Sequence, residues 1–193
     1  MSLAWEANEL YGGGRQPAQI KDPGIQNQYM DLLFGDPAAR LTLGFTIARY
    51  NIAGGDDPTH RHMRADAQVE SFQSGPDAPF AWTSDAPQRR MLQEKKNRVA
   101  HIFEATSYSP PYWITFSGCS SGANVGHQDN LRPDIYEGFV NYLATVIKYF
   151  RDVEGSRFQS VELSNEPDGG WAARERQEGN GASFLHRMRS FQC

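Results

Sequence analysis

The segment from Asp134 to Gly155 constrains the fold most, because Ile135, Phe139, Leu143, Val146, Ile147 and Phe150 recur there at three- and four-residue steps. That spacing puts all six on one face of a helix. Asp134 and Glu137 stand where a capping box would start the helix, and Gly155 where a C-cap would end it. A short apolar run, Val99–Ala105, precedes it, and Phe158–Pro167, with alternating side chains, follows it. Both runs read as strands. Parallel neighbours need a crossover long enough to hold a helix, so strand, helix and strand in this order predict an α/β chain with a parallel sheet.

The same grammar extends toward the N-terminus. Residues 41–50 alternate small or polar with apolar side chains and run into the Gly-Gly-Asp-Asp-Pro cluster at 54–58, which predicts a strand entering a loop. The 99–105 strand is followed by Ser109-Pro110-Pro111, where Pro111 has no N–H to give to a ladder. Residues 25–34 predict an amphipathic helix carrying Ile25, Tyr29, Leu32, Leu33 and Phe34. Asp85 to Asn97 predicts another, with Met91 and Leu92 as apolar anchors among charged neighbours. The chain carries no internal repeat and no low-complexity run.

Composition narrows the partners. With net charge −4 over 193 residues and dispersed Lys and Arg, the chain has no electrostatic footprint for nucleic acid. No apolar stretch approaches the roughly 18 residues of a membrane span, and Met1–Glu6 lacks the charged and apolar regions of an export signal. A polar or neutral substrate is expected. Cys119 and Cys193 allow one bridge at most and match no zinc spacing.

Asn165-Glu166-Pro167 closes the last strand, so Glu166 would project from a strand end, where α/β barrels hold their active sites. Ser160, Glu162, Ser164 and Glu166 share one side of that strand, with Val161 and Leu163 on the other. A carboxyl raised in pKa by burial there serves as a proton donor; the tripeptide alone is equally the composition of a polar turn. Arg49 ends the 41–50 strand and offers a guanidinium to a carboxylate or a sugar hydroxyl, or to a strand-end ion pair. Trp113, beside the stiff Pro110-Pro111 pair, reads as a stacking platform or as core. Asp56 and Asp57 lie in turn-forming sequence. Cys119 has no histidine and acid forming a recognisable triad with it, His60 and His62 are two ligands short of a zinc site, and Gly12–Gly14 lacks the pattern of a phosphate loop.

Taken in order, these segments resemble glycoside hydrolase family 30. Ser2-Leu3-Ala4-Trp5 is similar to the end of the family's first barrel strand, Arg49–Asp56 to the second, Ser109–Thr115 to the third and Asn165-Glu166-Pro167 to the fourth. Trp82, Gln88-Arg89, Met91-Leu92 and Gln177-Glu178-Gly179 echo the intervening segments. The resemblance implies a partial (β/α)8 TIM barrel over residues 1–179, about strands 1–4 with their helices, followed by an unaligned tail at 180–193. It implies Glu166 as acid/base, Asn165 as partner of the sugar 2-hydroxyl, and Arg49, Asp56 and Trp113 as further substrate contacts. The Gly-Gly-Asp and Ser-Pro-Pro-Tyr-Trp details look most like the endo-β-1,6-galactanase branch, whose substrate is a polysaccharide or oligosaccharide and whose chemistry needs no metal or organic cofactor. The family is typically secreted.

The family's nucleophile is a glutamate on the seventh strand, and no residue of this chain takes its place: Glu162 lies on the same strand and face as Glu166. A whole barrel takes roughly 250 residues, and the family's β-sandwich takes more. The expectation is a glycoside hydrolase that is inactive as this shortened chain. The alternative is a carbohydrate-binding remnant without turnover.

Overall fold

The computed structural model describes residues 4–5, 20, 22–39, 41–65, 67–164 and 170. The elements run β1 (Ala4–Trp5), α1 (Pro23–Phe34), β2 (Ile47–Asn51), α2 (Ala86–Lys96), β3 (Ile102–Thr106), α3 (Tyr136–Asp152) and β4 (Ser160–Glu162). Short 3-10 turns occupy Tyr112–Ile114 and Pro133–Ile135. The four strands form one sheet in the order β1-β2-β3-β4.

β1 pairs parallel with β2, Ala4 opposite Ile47 and Trp5 opposite Ala48. At the start of β3, His101 N and Ile102 N donate to Thr46 O at 3.0 and 3.1 Å, and at its end Ile52 N donates to Thr106 O at 2.7 Å. Starts meet starts and ends meet ends, so this pair is parallel too. Gln159 N to Phe103 O at 2.8 Å and Ser107 N to Glu162 O at 3.0 Å give β3 and β4 the same sense. The α/β, parallel expectation is met.

β2 begins later than the alternation of 41–50 predicts. Leu41 and Gly44 have positive φ, and Leu43 N and Phe45 N donate to Leu32 O and Leu33 O at 2.7 and 2.8 Å. The last carbonyls of a helix have no partner within it. Those of α1 take the N–H groups that a longer strand would have offered its neighbour.

Asp22 caps α1, its Oδ1 accepting from Gly24 N and Ile25 N at 2.8 and 3.2 Å, and Pro23 occupies the first turn, where no N–H is missed. The buried face is Gln26, Met30, Leu33 and Phe34, whereas Ile25, Tyr29 and Leu32 are 48, 48 and 43% exposed. Of the expected face Leu33 and Phe34 are buried, while Ile25 and Tyr29 give way to Gln26 and Met30, a stripe of the same spacing offset by one residue. On α2 the buried face is Gln88, Met91, Leu92 and Lys95. α3 buries Phe139, Tyr142, Leu143, Val146 and Phe150. No side chain caps α3: Asp134 lies in the 3-10 turn and pairs with Arg132 at 2.7 Å. Asp152 ends the helix, and Gly155, at φ 62, lets Ser156 N reach back to Phe150 O at 2.8 Å.

The described residues divide into two compact units: those within 1–51, 85–105 and 157–161, and those within 52–84, 106–156 and 162–193. The first is cored by Met30, Leu33, Phe34, Met91, Leu92 and Phe103, the second by Phe72, Phe139, Tyr142, Leu143, Val146 and Phe150. No helix among the described residues is long and apolar enough to cross a membrane.

Candidate active site

In the first unit, Arg49 on β2 and Glu104 on β3 face one another at 3.6 Å, and Ser160 Oγ on β4 donates to the other Glu104 oxygen at 2.9 Å. These positions alternate with buried Ala48, Tyr50, Phe103 and Ala105, so each strand shows a polar side and a packed side. In the second unit Thr106 Oγ1 donates to Glu162 at 3.2 Å. Ser160 and Glu162 therefore share the polar side that the sequence predicts. Val161, expected to pack, is 41% exposed among the described residues.

The packed side of β2 holds a buried polar cluster. Gln88 receives Asn51 N at 2.9 Å and donates to Asn51 O at 2.8 Å and to Asp85 at 2.6 Å, while Tyr50 OH donates to Asp85 at 2.6 Å. One amide thus completes the backbone of the last β2 residue.

The second unit holds the loops that follow β2 and β3. A Cβ on Gly54 would collide with the Pro110 carbonyl oxygen and come within 2.8 Å of Ser109 Oγ, and Gly55 has φ 69, so both glycines are required by close approach and by backbone. Tyr112 N donates to Gly54 O at 3.0 Å and Ser120 Oγ donates to Gly55 O, joining the two loops. Asp56 Oδ1 accepts from Asp57 N and His62 N, each at 3.0 Å, and Oδ2 accepts from Met63 N at 3.1 Å. The carboxylate therefore organises its own loop. Hydrogen bonds from Thr59 hold the neighbouring Asp57 carboxyl down at about 2, with a smaller contribution from His60.

Trp113 Nε1 donates to Gln73 O at 3.0 Å, and Tyr112 OH donates to Ser74 O at 2.9 Å. Both polar tips are engaged, and both rings are half-buried. Burial, then the negative charges of Asp57 and Asp56, push the Tyr112 phenol upward. Cys119 is a free, fully buried thiol, 2.9 Å from Ser121 Oγ, and burial pushes its pKa up, away from the nucleophilic thiolate. The His60 and His62 rings lie 6.1 Å apart, and no group of three or more potential metal ligands occurs among the described residues.

Asn165 and Glu166, with Gln177–Gly179, the 180–193 tail and Cys193, lie outside the described residues. Of the remaining site residues, Arg49 belongs to the first unit, Asp56 and Trp113 to the second. Sequence reading missed Glu104 and Gln73. Glu104 had a signal, a charge in mid-strand with the alternation of a polar face; Gln73 acts through its carbonyl, which no side-chain pattern reveals.

The family model for O-glycosyl hydrolase family 30 matches residues 15–187. An endo-β-1,6-galactanase from Hypocrea rufa is 34% identical over 152 residues, covering 71% of this chain and 31% of the relative. A conserved exported protein from Bacteroides fragilis superposes with TM-score 0.79 at 25% identity, over 97% of this chain and 38% of that one. The catalytic domain of a family 30 xylanase from Talaromyces cellulolyticus shares the fold, with TM-score 0.61 and 22% identity over 91% and 38% of the two chains. The chain spans about a third of the length of these relatives. A match over residues 15–187, together with the parallel β/α order, establishes that this chain belongs to glycoside hydrolase family 30.

Proposed function

We propose that residues 1–179 are the acid/base half of a secreted, retaining endo-β-1,6-galactanase barrel, with 180–193 a tail outside it. The observation that carries the reading is the 34% identity to an endo-β-1,6-galactanase, which exceeds the 22% identity to the xylanase of the same fold. Glu166 protonates the leaving glycosidic oxygen while a carboxylate from outside these residues attacks the anomeric carbon, and Glu166 then deprotonates the incoming water. Retaining enzymes hold two such carboxyls only about 5–5.5 Å apart. Asn165 holds the 2-hydroxyl, Trp113 offers a ring face to the sugar, and Arg49 is oriented by Glu104. Asp56 fixes the loop and presents its remaining lone pairs to a hydroxyl.

The test is release of reducing sugar from de-arabinosylated galactan by the purified chain and by Glu166→Gln, beside calorimetric titration with β-1,6-galactotriose and with a β-1,4-xylooligosaccharide. The expected result is binding of the galactoside without turnover. Turnover abolished by Glu166→Gln would refute the assignment of the nucleophile to another part of the protein. Binding of the xylooligosaccharide in preference would overturn the galactan assignment.

A further inference from the structure

The connection from β2 to α2 runs from Ile52 to Asp85 without a regular helix or strand among the described residues, and a connection that long inside a packed unit ordinarily has a task. Its second half closes on itself. Ala81 N donates to Phe72 O at 2.8 Å, Ala78 N to Gly75 O at 3.2 Å, and the Gln73 amide to Ala78 O at 2.9 Å. Residues 72–81 are thus an Ω-loop, its ends joined and its turn spanned by the Gln73 amide.

One side of this loop is fixed to α3. Phe72 is fully buried, lies edge-on to Phe150 at 5.8 Å, and its N–H donates to Tyr142 Oη at 3.1 Å. Tyr142 OH in turn donates to Ala53 O at 3.2 Å, at the root of the same connection. Trp82, just past the loop, stacks on Tyr149 with ring centroids 3.9 Å apart and planes within 2°, and Phe80 stacks on Trp82 at 4.9 Å. The other side of the loop offers two carbonyls. Gln73 O accepts from Trp113 Nε1 and from Ser71 Oγ, and Ser74 O accepts from Tyr112 OH.

We propose that the 72–81 Ω-loop is a positioning device for Trp113, with Trp82 and Gln73 as its positioning residues. The aromatic stack on α3 fixes the loop, Gln73 fixes its turn, and the Gln73 carbonyl fixes the azimuth of the indole. An indole pinned only by packing is free to tilt; one pinned also at Nε1 presents a fixed face. Substrate contact by Trp113 rests on the function proposed above, but the tether itself does not.

The test pairs a ligand-free measurement with a binding one, on the whole chain. Hydrogen exchange at the Trp113 indole N–H is followed by NMR together with the Val146 amide as a core reference. In the unmodified chain the indole proton exchanges more slowly than that of a free indole. Gln73→Ala keeps the accepting backbone carbonyl but removes the amide bond to Ala78 O that holds the turn, and so speeds exchange about 5-fold, the equivalent of that one ordinary hydrogen bond, with Val146 unchanged; Trp82→Ala does the same, and Trp82→Phe restores the slow rate. Affinity for β-1,6-galactotriose falls about 5- to 20-fold in Gln73→Ala and Trp82→Ala, the range of coupling through a packed network. Should Trp113→Ala bind as well as the unmodified chain, or should no galactotriose bind at all, the stacking platform fails while the exchange data still decide the tether. Should Trp113→Ala lose affinity while Gln73→Ala keeps both affinity and indole protection, the positioning inference is overturned. Because Gln73 lies outside the aromatic stack, its replacement reads the loop's hold on the tethering carbonyl even where Trp82→Ala does not fold.

Discussion

Helices α2 and α3 each lead from a loop into a strand, yet they are held in different ways. α3 buries Phe139, Tyr142, Leu143, Val146 and Phe150, a face that is apolar apart from one phenol with two backbone partners. α2 buries Gln88 and Lys95 beside Met91 and Leu92, and Gln88 makes three hydrogen bonds. The first helix is held by area removed from water, which is non-directional. The second depends on hydrogen bonds that only one geometry satisfies. The difference teaches that a weak apolar stripe in the sequence is not a weakly packed helix.

Substitutions can break that contrast. Phe150→Ala should have the largest effect, about 3–5 kcal/mol of lost stability from the deleted ring and the cavity left behind. Gln88→Leu, similar in size, should lose about 2–3 kcal/mol, because Asn51 N–H and C=O and the Asp85 carboxylate each lose a partner. Urea unfolding measures both. A Gln88→Leu protein as stable as the parent would show that α2 is held by area after all.

Lys95 sharpens the contrast through pH. Its ammonium is buried, 5.4 Å from the Phe34 ring centroid, while Asp31 and Glu94 both close on Arg98. Burial holds its pKa down at about 7, against 10.5 for the unperturbed side chain. Below about pH 7 the folded chain carries the full penalty of a buried charge. Between about 7 and 10.5 the unfolded chain binds a proton that the folded chain has released, so stability rises with pH across that window. Lys95→Met should therefore raise stability at pH 6 by a few kcal/mol and lessen the rise toward pH 10. Parallel stability–pH curves for the two proteins would rule out a buried charge at this position.

The smallest effects compare helix starts. Asp22→Ala removes the cap of α1 and should cost about 1 kcal/mol. Asp134→Ala should leave the unfolding midpoint unmoved, since Asp134 caps nothing and pairs with Arg132 in solvent. Equal losses from the two would restore the capping box that the sequence suggests.

Part of the site was legible in the same uneven way. The alternation of Ser160 and Glu162 is local, and both side chains reach the polar partners that their shared face requires. Asp56 was legible as a turn-forming residue of the loop after β2, but its hydrogen bonds from His62 N and Met63 N depend on the path of the residues that follow. The Gln73 carbonyl under Trp113 carried no signal, because every residue has a carbonyl and the fold alone selects this one.

By itself the sequence determined the order of strands and helices, the parallel sense of the sheet and the glycines of the loop after β2, because periodicity and backbone sterics act over a few residues. Tertiary structure decided which of two equally spaced stripes on α1 is buried, where β2 begins, and which groups complete Asn51 and hold Trp113. Those outcomes depend on where unpaired carbonyls and N–H groups from distant segments meet, and a hydrogen bond between segments far apart leaves no period in the chain.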